Sequence, residues 1–113
     1  MGCIFCDIVN NVVKAKVIYE DKKTIAFDDQ EPKAPVHFLI IPKEHIESLN
    51  FVISENSAVI SYIFENIPKI FNNLNMHKSD YRIVSNCGKQ AGQTVNHLHF
   101  HVLNGRYLEW PPG

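Results

Sequence analysis

The alternation of histidine with apolar residues over residues 97–102, His-Leu-His-Phe-His-Val, constrains the fold of this chain more than any other feature. In an extended strand, residues two apart share a face. His97, His99 and His101 therefore line one side of the strand, while the apolar side chains between them are buried on the other. In a helix the same residues would be scattered around the axis. The sequence thus predicts a strand from His97 to Leu103 with one face that carries three imidazoles.

The other periodic segments predict an α+β fold. Two β-rich runs, residues 17–19 and 24–27, are separated by a short polar segment and are typical of a hairpin. Residues 36–41 and 81–85 supply two more strands. With the histidine-bearing strand they form a mostly antiparallel sheet of about five strands. The length of 113 residues corresponds to a single domain that spans residues 1–113.

Two helices are predicted beside this sheet. A short N-terminal helix is expected, because Ile8 and Val9 continue an apolar face that begins near the N-terminus. The long helix is predicted from Ser54, a suitable N-cap, to about Asn75, because apolar residues recur there close to helical spacing. Pro68 lies inside this segment and is expected to kink or interrupt the helix.

Composition and charge exclude several classes of protein. Apolar residues make up 45% of the chain and charged residues 20%, which is ordinary for a soluble globular protein. Eleven basic and twelve acidic residues leave a net charge of -1, without the basic stripe that nucleic-acid binding requires. No run approaches the roughly 20 apolar residues that span a bilayer, and the N-terminus lacks a basic region followed by an apolar stretch. We therefore expect a cytoplasmic protein that binds neither nucleic acid nor a membrane.

The three histidines admit more than one chemical interpretation. They can form a plain row of imidazoles facing solvent, or a zinc or copper site, because neutral imidazoles on alternate strand positions are good ligands for both metals. The preceding segment, residues 86–94, contains amides, glycines and a hydroxyl instead of the acidic base that a catalytic metal usually brings. Glycine lets the backbone approach an anion, and amides and hydroxyls donate hydrogen bonds without adding charge. This composition favours a phosphate site.

These segments together resemble the histidine-triad (HIT) superfamily, and more closely its Hint branch. Beyond the triad, the likeness includes APVHFLIIPKEHI at residues 34–46, YRIVSN at 81–86, GQTV at 92–95 and the ending GRYLEWPPG at 105–113. It covers almost the whole chain in the expected order. The resemblance implies a homodimer in which two five-stranded sheets join into one continuous sheet, with a pocket for a purine nucleotide such as an AMP or GMP derivative on each subunit.

The resemblance also implies an activity, the hydrolysis of the P–N bond of purine nucleoside 5′-phosphoramidates through a nucleotidyl-histidine intermediate. By position, His99 is the nucleophile and His37 handles a proton near the leaving amine. The catalytic residues implied are His37, Thr94, His99 and His101. The nucleotide-binding residues implied are Phe5, Ile8, Phe27, Asp29, Asn86, Gly92, Gln93, Thr94, His99, His101 and Trp110. Such chemistry requires no cofactor, because histidine supplies both a nucleophile and a proton donor near neutral pH.

Three departures from the usual Hint pattern affect substrate preference. Thr94 stands where serine is common, Asn96 replaces a frequent tyrosine, and Gln30 occupies a usually apolar position beside the base and ribose. Two alternative functions remain open at this point. One is hydrolysis of dinucleoside polyphosphates, against which the Trp-Pro-Pro-Gly ending argues. The other is nucleotide binding or scaffolding without catalysis.

The N-terminal Cys3-x-x-Cys6 pair is ambiguous among a zinc site, a redox motif and simple packing of the short helix. A redox pair is expected at the start of a helix that follows a strand, and no strand precedes these cysteines. The resemblance extends to HIT proteins with this opening, which carry a structural Cys2His2 zinc site. It implies that the zinc ligands are Cys3, Cys6, His45 and His97. In this interpretation His97 holds the strand in place, while His99 and His101 carry the chemistry.

Overall fold

The computed structural model describes residues 2–113, and its regular elements confirm the predicted α+β class. The strands are β1 (Val17–Glu20), β2 (Thr24–Asp28), β3 (Val36–Pro42), β4 (Arg82–Val84) and β5 (Phe100–Asn104). The helices are α1 (Ile4–Val9) and α2 (Ala58–Asn73), with short 3-10 helices at Leu49–Phe51 and Lys89–Ala91. Across the described residues, no helix has the length and apolar character needed to cross a bilayer.

All five strands belong to one antiparallel sheet in the order β1-β2-β3-β5-β4. At its centre, Leu39 of β3 lies opposite Phe27 of β2 and His101 of β5, and His101 in turn lies opposite Val84 of β4. Side chains that face one another across a sheet point to the same side. This row therefore defines one face of the sheet, and the neighbouring Phe38 belongs to the other face.

The two helices cover opposite faces of the sheet. The buried side chains of α2 recur at the spacing of a single helical face: Ile63, Ile67, Ile70 and Phe71. They form the main core with side chains of the sheet that include Phe38, Ile40, Phe100 and Val102. On the opposite face, Phe5 of α1 forms a smaller cluster with Ile25, Phe27, Leu39 and Ile41. This smaller cluster becomes one wall of the cavity described below.

The long helix differs from its prediction at two points. It begins at Ala58 instead of Ser54, because residues 54–57 form a turn in which the Ser54 hydroxyl donates to the Glu55 carboxylate instead of capping the helix. The predicted interruption at Pro68 is wrong, since α2 continues to Asn73. Pro68 lies on the exposed side of α2. Proline has no N–H, so one carbonyl of the preceding turn lacks its helical partner, and at an exposed position water can bond it. The buried face of the helix holds both halves on the sheet.

The histidine-bearing strand is shorter than predicted. β5 begins at Phe100, and residues 95–97 form a bend. The reason is that Leu98 N–H donates to the Ile46 carbonyl at 2.6 Å, which ties the chain to a remote segment before it joins the sheet. The predicted alternation of faces nevertheless holds, because Leu98, Phe100 and Val102 all lie in the main core. His97 and His99 contact Phe5 on the other face and are buried there as well.

Candidate active site

A cavity of about 770 Å³ opens between α1, the end of β2, and the loop that leads into β5. Its apolar walls include Phe5, Ile8, Phe27, Leu39 and Val95. Its polar groups include Asp28, Asp29, Asn86, Thr94, His99 and His101. A second cleft of about 330 Å³ also contains Asp29, Glu31, Asn86 and His101, and adds His37 and Lys33. Two cavities therefore meet at one group of histidine, amide and carboxylate side chains.

The ring of His99 is held in one orientation with a defined tautomer. Its Nδ1 lies 2.7 Å from the carbonyl oxygen of His97, and because a carbonyl only accepts, Nδ1 carries the hydrogen. In the neutral ring, Nε2 therefore keeps its lone pair. The Phe5 ring packs edge-on against the imidazole with centroids 5.1 Å apart, and the Ser85 hydroxyl donates to the His99 carbonyl at 2.8 Å. Both contacts hold the His99 residue at the cavity wall, where Nε2 is the ring nitrogen without a hydrogen.

His37 and His101 form a directed chain of hydrogen bonds. The Lys33 backbone N–H donates to His37 Nδ1 at 3.0 Å, so the proton of the neutral His37 ring resides on Nε2. That Nε2–H donates to His101 Nδ1 at 2.9 Å, which leaves the proton of a neutral His101 on its Nε2. Asp29 Oδ2 lies 3.4 Å from His37 Nε2 and 3.7 Å from His101 Nδ1. The chain ends in an N–H donor on His101.

Burial keeps both of these rings neutral at pH 7. The pKa of His101 is lowered to about 4, mainly by burial and also by the neighbouring His99 and His37, while Asp29 opposes the effect. Burial also lowers the pKa of His37, against a smaller opposing effect of Asp29. His101 can therefore donate a hydrogen bond to an anion without carrying a charge of its own in the empty site.

The loop before β5 is shaped by the side chain of Gln93. Its Oε1 accepts from Gly88 N–H at 2.8 Å, and its Nε2 donates to the Glu47 and Val95 carbonyls at 2.8 and 3.0 Å. The Gln93 backbone N–H is also used, since it donates to the Gly88 carbonyl. Gly88 and Gly92 have φ of 92° and 94°, left-handed values that suit glycine. The loop thus presents Asn86, Gly92 and Thr94 to the cavity while Gln93 supports them from behind.

Most of the nucleotide-binding residues predicted from the sequence line the larger cavity, with two exceptions, Gln93 and Trp110. Its lining includes Phe5, Ile8, Phe27, Asp29, Asn86, Gly92, Thr94, His99 and His101. His37 lies in the adjoining cleft, and Gln93 and Trp110 line neither cavity. Trp110 is 81% exposed, at the end of a segment whose Leu108 and Glu109 carbonyls accept from the Arg82 guanidinium.

Sequence reasoning missed one rim of the cavity. Residues 13–16, including Lys14 and Lys16, line it beside Asp28 and Glu31. Charged residues ahead of a strand normally indicate a solvated surface, so nothing in the local pattern identified them. Ser85 was missed as well, because its contact to the His99 carbonyl crosses between β4 and β5.

The predicted metal ligands Cys3, Cys6, His45 and His97 lie together on the far side of Phe5. His97 Nδ1 is 3.5 Å from Cys3 Sγ, 3.6 Å from Cys6 Sγ and 3.2 Å from His45 Nδ1. Metal–ligand bonds of about 2.0–2.3 Å in a tetrahedron place N and S donors roughly 3.3–3.6 Å apart. The donor set and its spacing fit a metal ion.

The orientation of His97 agrees with this assignment. Its Nε2 lies 2.9 Å from the Pro42 carbonyl and therefore carries the hydrogen, which leaves the Nδ1 lone pair directed at the cysteines. Burial lowers the pKa of His97 despite the bond to Pro42, so the ring is neutral, as a metal ligand must be. The Cys3–Cys6–His45–His97 cluster can thus bind a metal.

A second close group, Asp29, His37 and His101, is less suited to a metal. The His37 nitrogen that faces the other two donors is Nε2. Because the Lys33 N–H donates to Nδ1, the proton of the neutral His37 ring stays on Nε2. A ligating nitrogen has to be unprotonated. The arrangement is better suited to holding and moving a proton.

Comparison with known proteins agrees with the fold and shows the family. Residues 10–108 match the HIT domain family model. A HIT-like protein of Buchnera aphidicola is 41% identical over 106 residues, which cover 94% of this chain and 93% of that protein. The chain belongs to the HIT domain family.

Solved structures extend the likeness to three dimensions. The crystal structure of a HIT family hydrolase from Legionella pneumophila superimposes with a TM-score of 0.93 at 40% identity and covers 99% of this chain and 100% of that one. A histidine triad nucleotide-binding protein from Candida albicans superimposes with a TM-score of 0.81 at 30% identity over 97% of this chain and 83% of its own. The fold is therefore shared with HIT proteins described as hydrolases and as nucleotide-binding proteins.

Proposed function

We propose that this protein hydrolyses the P–N bond of purine nucleoside 5′-phosphoramidates through a nucleotidyl intermediate on His99. The observation that carries the proposal is the 2.7 Å bond from His99 Nδ1 to the His97 carbonyl, which leaves Nε2 as a nucleophile. The hydrolase and the nucleotide-binding protein among the structural relatives support the same class of reaction.

The two adjoining cavities suit the two halves of such a substrate. Phe5, Ile8 and Phe27 offer apolar walls to a purine base, and Asp29 is available to the ribose hydroxyls on the same side. The phosphoryl group then lies where the cavities meet, near Asn86, Thr94 and His101. Each well-placed donor to the phosphoryl oxygens is worth about 3 kcal/mol in the transition state. The leaving amine would occupy the cleft that contains His37.

The proton balance follows from the states of the two coupled rings. In the empty site both are neutral, but a phosphoryl anion beside His101 favours their protonated form, so a proton enters with the substrate. Attack by His99 Nε2 forms the P–N bond to histidine and breaks the bond to the amine, which takes the proton from the His37–His101 pair. Water then displaces His99 from phosphorus and returns a proton to the pair, which releases that proton when the nucleotide leaves. The cycle consumes one water molecule and restores the enzyme.

We further propose that the Cys3–Cys6–His45–His97 cluster binds zinc as a structural ion. Four N and S ligands would close the coordination shell, so the ion would fasten α1 to the start of β5 and would leave no open position for substrate. The chemistry proposed for His99 needs no cofactor.

A homodimer is the third part of the proposal. β4 is an edge strand with unpaired backbone groups, and joining two such edges would give the continuous sheet that the family resemblance implies. The exposed Trp110 would then reach toward the pocket of the partner subunit.

The nucleophile is tested by mass spectrometry. Wild-type protein mixed with adenosine 5′-phosphoramidate is expected to accumulate a nucleotidyl adduct that is absent from His99→Asn, while turnover is lost. His77→Asn is the matched control, because His77 is exposed and bonds only Asn72 among the described residues. Turnover that persists in His99→Asn would contradict the proposal. Faster cleavage of a dinucleoside polyphosphate would favour the sister activity, and tight nucleotide binding without any turnover would favour a non-enzymatic role.

A further inference from the structure

The loop between β2 and β3 is held by two consecutive residues of the C-terminal segment. Arg106 Nε donates to the Lys33 carbonyl at 2.8 Å. The preceding Gly105 has φ of 106°, and a Cβ there would lie 2.8 Å from the Cβ of Pro35. Only glycine permits this approach, because its φ is left-handed and the ring of Pro35 is rigid. The C-terminal segment thus fixes the stretch from Lys33 to Pro35.

Lys33 of this loop also donates a hydrogen bond to the ring of His37. Lys33 presents its carbonyl to Arg106 and its N–H to His37 Nδ1, and both groups flank a single α-carbon. Their directions are therefore linked through the φ and ψ angles of Lys33. Without the Lys33 N–H on Nδ1, the proton of His37 is free to move there. Nε2 would then present a lone pair to the lone pair of His101 Nδ1, 2.9 Å away.

We propose that Arg106 is a positioning residue, which acts through Lys33 to keep His37 in the tautomer that donates from Nε2 to His101. The importance of this tautomer for turnover rests on the proposed function, because the pair supplies the proton to the leaving amine only in that reaction. Arg106 itself is exposed and lines neither cavity, so its effect reaches the site only through the loop.

The tautomer can be measured without any substrate. In 15N-labelled wild-type protein near pH 7, His37 Nδ1 is expected to resonate as an unprotonated nitrogen and Nε2 as a protonated one. In Arg106→Ala both resonances should move toward the average of exchanging tautomers, and the Lys33 amide should exchange faster with solvent. Arg82→Ala is the matched control, because Arg82 binds the Leu108 and Glu109 carbonyls of the same segment and does not touch the loop. Unchanged His37 resonances in Arg106→Ala would overturn the inference, whatever the activity.

A pair of substrates separates a proton-transfer defect from a general loss of structure. A nucleoside 5′-phosphoramidate of an alkylamine needs a proton on its leaving group, whereas a 5′-(4-nitrophenyl) phosphate ester does not. Removing a hydrogen bond from a charged donor is worth a factor of roughly ten. We therefore expect Arg106→Ala to lower kcat about tenfold for the phosphoramidate and less than about twofold for the ester. Arg82→Ala should leave the ratio of the two kcat values unchanged.

The remaining outcomes are also informative. Gly105→Ala, which displaces the same loop by a steric clash with Pro35, should also lower kcat for the phosphoramidate more than for the ester. Equal losses on both substrates in both variants would overturn the positioning role. Wild-type protein that cleaves neither substrate would contradict the proposed function, and the nitrogen resonances would still decide whether Arg106 sets the tautomer.

Discussion

The neutral state of His101 makes a quantitative prediction about stability. Burial lowers its pKa from 6.5 to about 4 in the folded protein, and the ordinary value applies in the unfolded chain. A group whose pKa is depressed by folding contributes stability that is present above the unfolded pKa and is lost as the pH falls toward the folded value. At about pH 4.5 the unfolded chain is protonated at this position and the folded protein is largely not. With about 1.36 kcal/mol per pK unit, this costs the folded state about 2 kcal/mol relative to pH 7.

His101→Asn removes the titrating group and keeps an acceptor for His37 Nε2–H. Urea unfolding followed by far-UV circular dichroism, at about pH 7 and about pH 4.5, gives the free energy of unfolding of each protein. We expect the variant to lose about 2 kcal/mol less than the wild type on acidification. His37, His99 and Asp29 face the ring in both proteins, and the metal ligands are also unchanged, so most of their effect cancels in the difference. A variant that loses as much stability as the wild type would refute the neutral state of His101.

Two further predictions concern the scaffold and the metal. Asn66, buried in α2, donates to the half-buried Asp21 and the buried Thr24. Asn66→Ala should lower the free energy of unfolding by about 2–4 kcal/mol in urea melts at pH 7, because it leaves both partners without this donor. A loss below about 1 kcal/mol would contradict this. Elemental analysis should find about one zinc per chain in the wild type and in Cys87→Ser. Cys3→Ser should contain little zinc, since structural zinc needs its full set of ligands. Equal zinc content in all three proteins would show that Cys3 is not a ligand.

The sequence predicted the faces of the sheet better than the ends of its elements. The alternation around His99 placed Leu98, Phe100 and Val102 in one core, because strand periodicity is a local property. It did not predict that the strand begins at Phe100. That boundary depends on a bond from Leu98 to Ile46, which is remote in the chain and leaves no local pattern.

The candidate site shows the same difference between features that the local sequence predicts and features that depend on remote contacts. The composition of residues 86–94 indicated an anion-binding loop, and Asn86, Gly92 and Thr94 do line the cavity. Gln93 was predicted to bind nucleotide, yet its backbone N–H donates to the Gly88 carbonyl and its side-chain amide donates to the carbonyls of Glu47 and Val95. Its observed contacts are therefore structural. An amide side chain has the same appearance in a sequence whether it faces a ligand or a backbone.

Helix α1 belongs to two sites at once. Cys3 and Cys6 at one side of this short element reach the metal cluster, and Phe5 between them lies edge-on against both His97 and His99. A change in the position of this helix would therefore alter the affinity of the cluster for a metal and the wall of the proposed nucleotide pocket together. Such coupling is reciprocal by thermodynamic necessity. If zinc tightens nucleotide binding, bound nucleotide tightens zinc binding by the same free energy. The metal content of the protein would then depend on its supply of substrate.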